Sequence, residues 1–425
     1  MSRLAAEEYN ESQIAAIRRR SIGILALGQI LGGLGGGATL TLGSLLIVHV
    51  SGLDSLAGMA ATMNTLGAAA MSVPLAMLAQ RLGRRMSLST GALIAVLGSA
   101  LIVTGAVWNS VLVLLVGMLV LGTASAMNLQ SRFAATDLSD ERTRGRDLSL
   151  VVWATTVGAV LGPNLFAPGE VISSSLGLPT YTGGFLIAMA AQILGLIVYW
   201  AGLRPDPMVV AWQRAGIAGT QVVRRTGAGF RLLRELPAAR RAVLTVALSH
   251  AYMVSLMSMT PVHMQHHGAS LTLIGFTISL HVLGMYAFSP IFGWLTDRLG
   301  AARIVMIGQI LLIAASLCVW MNPTGHALVT VALALLGLGW SAATVAGSTM
   351  VSAAAPLAER TALQGTSDLL MNLAGALGGL CAGPVLALAG FEGLAMILLA
   401  LALIVVFLNR DAWSLGLSRQ KLPDD

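Results

Sequence analysis

The chain has 425 residues, of which 56% are hydrophobic and only 10% charged, with a formal net charge of +7. So little charge over that length excludes an ordinary soluble domain. A basic excess can signal nucleic-acid binding, but here all 25 Lys and Arg residues divide by topology, and that excludes a polyanion site.

Taken in order, twelve apolar runs are long enough to cross about 30 Å of hydrocarbon. They cover 21–49, 55–79, 87–108, 111–131, 147–168, 181–202, 241–265, 271–296, 303–321, 327–352, 365–390 and 393–409. The first run is too long for a cleavable signal and lacks a small-residue cleavage site, so it is read as the insertion signal itself. The basic residues gather around 18–20, 81–85, 132–146, 204–241, 298–303, 360 and 410–421, all on one side of the membrane. The opposite loops, near 50–54, 109–110, 169–180, 264–270, 322–326 and 391–392, have none. The positive-inside rule then predicts an all-α protein of the bilayer with both termini cytoplasmic. Cys318 and Cys381 lie in separate apolar runs and are read as free, buried thiols.

The organisation expected is a six-helix bundle at 1–202, a cytoplasmic basic linker at 203–240 and a second six-helix bundle at 241–425. The linker, with eight arginines between 204 and 241, is expected to lie partly helical along the anionic inner leaflet. The halves repeat. The turn after the eighth run reads Gly293-Trp-Leu-Thr-Asp297-Arg298-Leu-Gly300-Ala-Ala-Arg303, and its first ten residues match 76–85 in the first half, where Ala76 replaces the Gly and Gln80 the Asp. G-x-x-x-G-P recurs at 158–163, ending in Gly162 and Pro163, and at 379–384; Asp147 and Asp368 are spaced alike. Trp108 and Trp320 fall at outer ends and Trp200 and Trp413 at inner ends, as aromatic belts require.

G-x-L-x-D-R-x-G-x-x-R resembles the cytoplasmic signature of the major facilitator superfamily, and the resemblance covers essentially the whole chain. It implies a transporter of twelve helices in two pseudo-symmetric six-helix bundles, not an enzyme, with the substrate between the halves. Gly293, Asp297, Arg298, Gly300, Arg303, Asp147, Asp368, Gly162 and Pro163 are the gating candidates. The Asp297 carboxylate is expected to accept from the N-terminal amides of a neighbouring helix, and Asp147 and Asp368 to serve their own helix N-termini. Arg132 is expected to pair with an acid or to snorkel. The glycine–proline motif is read as packing and kinking.

No Asp, Glu, Lys or Arg lies near the middle of any run, which sets the chain apart from carriers with mid-membrane ionisable groups. Soft and borderline ligands occur instead. Met253 and Met257 form M-x-x-x-M in the seventh run, and His281 and Met285 form H-x-x-x-M in the eighth. A spacing of four puts each pair on one helical face, near the midplane. Met59 and Met63 share the spacing and are read as packing. The repeat places Gly36, Leu40, Asn64 and Ala68 opposite the four candidate ligands, so the scaffold itself does not demand them. Neutral thioethers with one imidazole favour Cu(I) over zinc, manganese or magnesium. His250 is either an extra ligand or a hydrogen-bonded neighbour. His263, His266 and His267, at the outer end of the seventh run, either collect metal or form a polar turn.

The two motifs closely resemble those of CcoA-like bacterial copper importers, a branch of the same superfamily. That resemblance implies copper as transported substrate, with no resident cofactor. It implies uptake across the bacterial inner membrane, supply to haem–copper (cbb3-type) oxidase assembly, and a cytoplasmic copper chaperone as a partner. Cys381 is an accessory candidate carried over on the same ground. The rival readings are a carrier of a small organic molecule, by riboflavin uptake or drug efflux, in which Trp153 and Trp340 matter more, and a membrane copper sensor that binds without transport.

Overall fold

The computed structural model describes residues 9–53, 56, 59–164, 166–216 and 227–418; within these, the side chains of 35–41, 44, 159–160, 162–164, 166–167, 265, 271–272 and 411–418 are outside the description. Among the described residues there are fourteen helices and no strand. In chain order they are α1 (Glu11–Ser51), α2 (Met59–Val107), α3 (Val111–Ala134), α4 (Arg144–Asn164), α5 (Phe166–Ser175), α6 (Gly183–Gly202), α7 (Pro207–Arg214) and α8 (Ala228–Glu235). They continue with α9 (Pro237–His266), α10 (Leu271–Tyr286), α11 (Ser289–Leu299), α12 (Ala301–Met321), α13 (His326–Ala353) and α14 (Leu357–Ser418).

Two of these contain a non-helical residue that divides them into two crossings each. At about 1.5 Å per residue, the 49 residues of α2 exceed twice the hydrocarbon thickness. Gly83, at φ 87 and ψ 174, reverses the chain there, and Gly390, at φ 73 and ψ −179, does so within α14. Conversely, α4 with α5 and α10 with α11 each make one broken crossing. The twelve passes are therefore α1, two in α2, α3, α4–α5, α6, α9, α10–α11, α12, α13 and two in α14. The break after α10 has a plain cause: Pro290 lacks the N–H that a continuous helix would need, and it sits in the first turn of α11. Helix α1 starts ahead of its predicted run because Asn10 and Gln13 form a reciprocal capping box, each bond 2.9 Å.

The chain forms two compact units. Unit 1 comprises 1–140, 154–232 and 355–369; unit 2 comprises 141–153, 233–354 and 370–425. Neither is a continuous half of the chain. The start of α4 belongs with unit 2, where Leu148 and Val152 pack among Phe292, Ile304, Val305 and Ala342. The start of α14 belongs with unit 1, where Gly365 lies so close to Ala76 that a Cβ would sit 2.3 Å from the alanine methyl. In the linker, Asp206 caps α7 through Met208 N at 3.0 Å and accepts from Arg85 N at 2.7 Å. Ala228, Gly229 and Leu232 form the buried face of α8, while Phe230 and Arg234 are exposed.

Gly83 and Gly300 occupy matching places in the repeated turn and share the same left-handed φ, 87° and 89°. Their surroundings differ. A Cβ on Gly83 would lie 2.4 Å from the Asp206 carboxylate, whereas one on Gly300 would meet nothing within 4 Å. Gly300→Ala should therefore cost only backbone strain, about 1–3 kcal/mol. Gly83→Ala should cost clearly more, because it also displaces Asp206 from two helix ends. Thermal unfolding of the two variants in detergent, with Asp206→Ala as the third arm, checks that order.

Candidate functional site

The seventh crossing is α9, and unit 2 builds its core against it. Tyr252, Met253 and Leu256 belong to one buried cluster with Met285 of α10 and Leu333, Leu336 and Trp340 of α13; Met257 is half-buried against the same cluster. Pro261 lies inside α9 and cannot donate to the carbonyl of Met257 one turn earlier, which loosens the helix beside that residue. Next to it, Thr260 donates its hydroxyl to Leu256 O at 2.7 Å.

His281 is fully buried, at 0% exposure. Its Nδ1 lies 2.9 Å from the carbonyl of Leu333 on α13. A carbonyl only accepts, so Nδ1 carries the hydrogen and Nε2 of the neutral ring keeps a lone pair. Nε2 is buried and has no hydrogen-bond partner among the described residues. The approach of the two helices is set by small residues: a Cβ on Gly337 would sit 2.3 Å from His281 O and 3.1 Å from Met285 N. Met285 follows His281 by one turn, at 7% exposure, just before the break between α10 and α11.

Of the four central candidates, then, Met253 and Met285 share one cluster, Met257 packs against it, and His281 is tied to that cluster through Leu333. Among the described residues no three His, Cys, Asp or Glu side chains gather as a metal cage, so any ion held here depends on thioethers. His250 is committed elsewhere: its Nδ1 accepts from Trp340 Nε1 at 3.0 Å, and its ring approaches Gly375 of α14. Trp340 also meets Tyr286, the neighbour of Met285, edge-on at 5.9 Å. Trp340 thus links α9 to the end of α10, a role that its position in the sequence did not signal. Cys318 is half-buried and Cys381 exposed, both free thiols; the expectation of two buried thiols is corrected, since the Cys381 face of α14 is not covered among the described residues.

The far histidines behave differently from one another. His263 is buried, its Nε2 bonded to Pro323 O at 2.6 Å and its ring stacked on Phe391 at 4.2 Å. His266 and His267 are exposed, and His267 Nδ1 bonds to His263 O at 2.8 Å.

At the arginine-rich end of unit 2, the Asp297 carboxylate accepts from Gly145 N at 2.7 Å and Arg146 N at 2.8 Å, the first amides of α4. Gly293 permits this approach, since a Cβ there would lie 2.1 Å from Ser149 Oγ. Arg298 lies over the Trp294 ring at 4.5 Å, and Arg303 has a buried Nη2 without a hydrogen-bond partner among the described residues. Asp147 is buried in the first turn of α4. Asp368 does not serve its own helix N-terminus, which is a correction: α14 begins at Leu357, and Asp368, deep inside it, takes Arg132 Nη2 at 2.7 Å. Beside it, Arg84 pairs with Asp137 at 2.8 Å and donates to Gln364 at 2.7 Å. Gly162 and Pro163 have side chains outside the described residues.

A sequence profile of the Major Facilitator Superfamily matches residues 25–272 and 242–419. The chain belongs to the major facilitator superfamily. An uncharacterised transporter of this type, YdeG of Bacillus subtilis, is 35% identical over 408 residues, covering 94% of this chain and 93% of its own. The riboflavin transporter RfnT of Brucella anthropi is 29% identical over 388 residues, covering 89% and 92%. Among solved structures, the human organic anion transporter MFSD10 is similar with a TM-score of 0.71 at 20% identity, covering 92% of this chain and 99% of its own; that likeness concerns the fold. The chain is accordingly a multi-pass membrane transporter of this superfamily.

The Arg132–Asp368 pair is at most 2% exposed on either side, whereas Arg18 and Asp140, 3.8 Å apart, are 19% and 70% exposed. Asp368→Asn should destabilise by about 3–5 kcal/mol by leaving a buried guanidinium uncompensated. Arg18→Ala should stay within about 1 kcal/mol. Replacing both members of the buried pair by Met and Leu should recover most of the loss. Thermal unfolding in detergent reads all three.

Proposed function

We propose that this transporter imports copper by alternating access, with Met253, Met257, His281 and Met285 as the ligands of the travelling ion. The observation that carries the reading is the His281 ring. Its lone pair on Nε2 is buried, lacks a protein partner among the described residues and is fixed in tautomer by a main-chain carbonyl, in the helix pair that bears the three thioethers. An acceptor nitrogen left bare in a dry core costs about 1–3 kcal/mol. A ligand that accepts no proton from the protein but coordinates a soft cation accounts for it. All four donors are neutral, so a bound Cu(I) carries a single net charge, and release needs no thiolate to be broken.

On this reading, copper would pass across a bacterial inner membrane with both termini cytoplasmic, and a cytoplasmic chaperone would receive it for cbb3-type oxidase. Asp297 with Gly293, Arg298, Gly300 and Arg303 would tune the conformational cycle by holding the start of α4, where Asp147 is buried, and Asp368 would do so through its pairing with Arg132. The basic linker would rest on anionic lipid. Cys381, being exposed, is more available for thiol exchange than for the ligand set.

A second reading has its own support: 29% identity to a riboflavin transporter, together with the buried Trp340 beside His250, suits a flat organic substrate.

Uptake in whole cells separates the two. Met253→Leu, Met285→Leu and His281→Asn should each lower radiocopper uptake roughly tenfold or more, as loss of a metal-site group does, at unchanged expression. Trp340→Phe should lower it far less. Unchanged copper uptake in the first three, with riboflavin uptake lost in Trp340→Phe, would replace the copper reading with the organic one.

A further inference from the structure

Unit 2 has a second place where candidate ligands gather, at the end whose loops carry no Lys or Arg, and there imidazole meets carboxylate. A cavity of about 350 Å³ is lined there by His263, His266, His267, Thr324, Phe391 and Glu392, among others. Three features make it more than a polar turn. First, His267 is oriented: its Nδ1 donates to the carbonyl of His263 at 2.8 Å, so Nε2 carries the lone pair. Second, the support is rigid, because His263 is pinned between Pro323 O at 2.6 Å and the Phe391 ring at 4.2 Å, and its own ring lies 4.3 Å from that of His267. Third, the chain reversal at Gly390 folds the Glu392 carboxylate back over the turn, about 3.0 Å from where a Cβ on Gly390 would be.

An oriented imidazole bonded through its other nitrogen to a carbonyl is the usual arrangement of a metal-binding histidine. Imidazole with a carboxylate suits a borderline divalent cation, Cu(II) or Zn(II), and disfavours Ca(II) and Mg(II), which take oxygen ligands. This donor set is harder than the thioether set of the core. Among the described residues no trio is already assembled as a cage, so binding must draw exposed His266, His267 and Glu392 together. That reorganisation makes the site weak and its ion readily exchanged with solution.

We propose that this cavity binds a borderline divalent cation, Cu(II) or Zn(II), with His267 Nε2, His266 and Glu392 as ligands and His263, through its main-chain carbonyl, as the positioning residue that orients His267. The site rests on its own donor set and not on the proposed function; Cu(II) serves as the spectroscopic probe.

The test uses full-length protein in detergent titrated with copper(II) chloride and read by electron paramagnetic resonance. The wild type should bind one Cu(II) with imidazole nitrogen splitting, at an affinity on the order of micromolar. His267→Ala and Glu392→Gln, both at exposed positions, should each weaken it about tenfold, and a large excess of Ca(II) should not displace it. Met285→Leu should leave the signal unchanged even where it removes uptake, so failure of the core site and failure of this one are told apart. Wild-type binding in both His267→Ala and Glu392→Gln, absence of nitrogen splitting, or loss of the signal in Met285→Leu would overturn the proposal.

Discussion

The hydrogen bond from His281 to the Leu333 carbonyl fixes more of unit 2 than its single 2.9 Å contact suggests. It holds one ring nitrogen protonated, bares the other, and ties α10 to α13 one turn before Met285. It exists because Gly284 and Gly337 let the two backbones come close: a Cβ on Gly284 would stand 3.0 Å from Ala334 O. With no water to satisfy polar groups in such a core, an imidazole there must find partners in neighbouring backbone. His281 finds one and leaves one nitrogen over. His250, one helix away, spends its Nδ1 on Trp340. The two histidines therefore differ in what they can offer an ion, although both lie in apolar crossings.

The repeat uses one turn in two ways. In unit 2, Asp297 reaches the first amides of α4, a carboxylate set on the positive end of a helix. In unit 1, Gln80 stands where the acid would be, and the load passes to buried guanidinium groups: Arg84 on Asp137 and Gln364, and Arg132 on Asp368. Breaking a buried ion pair is costlier than releasing a helix cap, so the pairs of unit 1 are held more strongly than the cap of unit 2.

Much of the fold was legible because membranes constrain it tightly. Length and apolarity set the crossings, and Gly83 and Gly300 marked reversals through the same motif. Met253 and Met285 do fall in one apolar cluster around Tyr252, with Met257 packed against it. What could not be read were partners remote in sequence. Leu333 serves through its carbonyl, which no side-chain pattern reports. Trp340 is 90 residues from His250 in the contact they share. Asp368 looked like a cap because its run was taken to start nearby, but α14 begins earlier, on residues too polar to count as a span. Glu392 sat beside the outer histidines only once the chain had reversed at Gly390.

The central claim is that sulfur and imidazole of unit 2, without formal charge, hold a monovalent copper ion. X-ray absorption of the purified protein loaded with Cu(I) addresses it directly, since sulfur and nitrogen neighbours are distinguished by their backscattering. The account predicts a mixed shell of thioether sulfur and one imidazole, losing sulfur in Met285→Leu and imidazole in His281→Asn. A shell of light atoms only, or one unchanged in both variants, would contradict it.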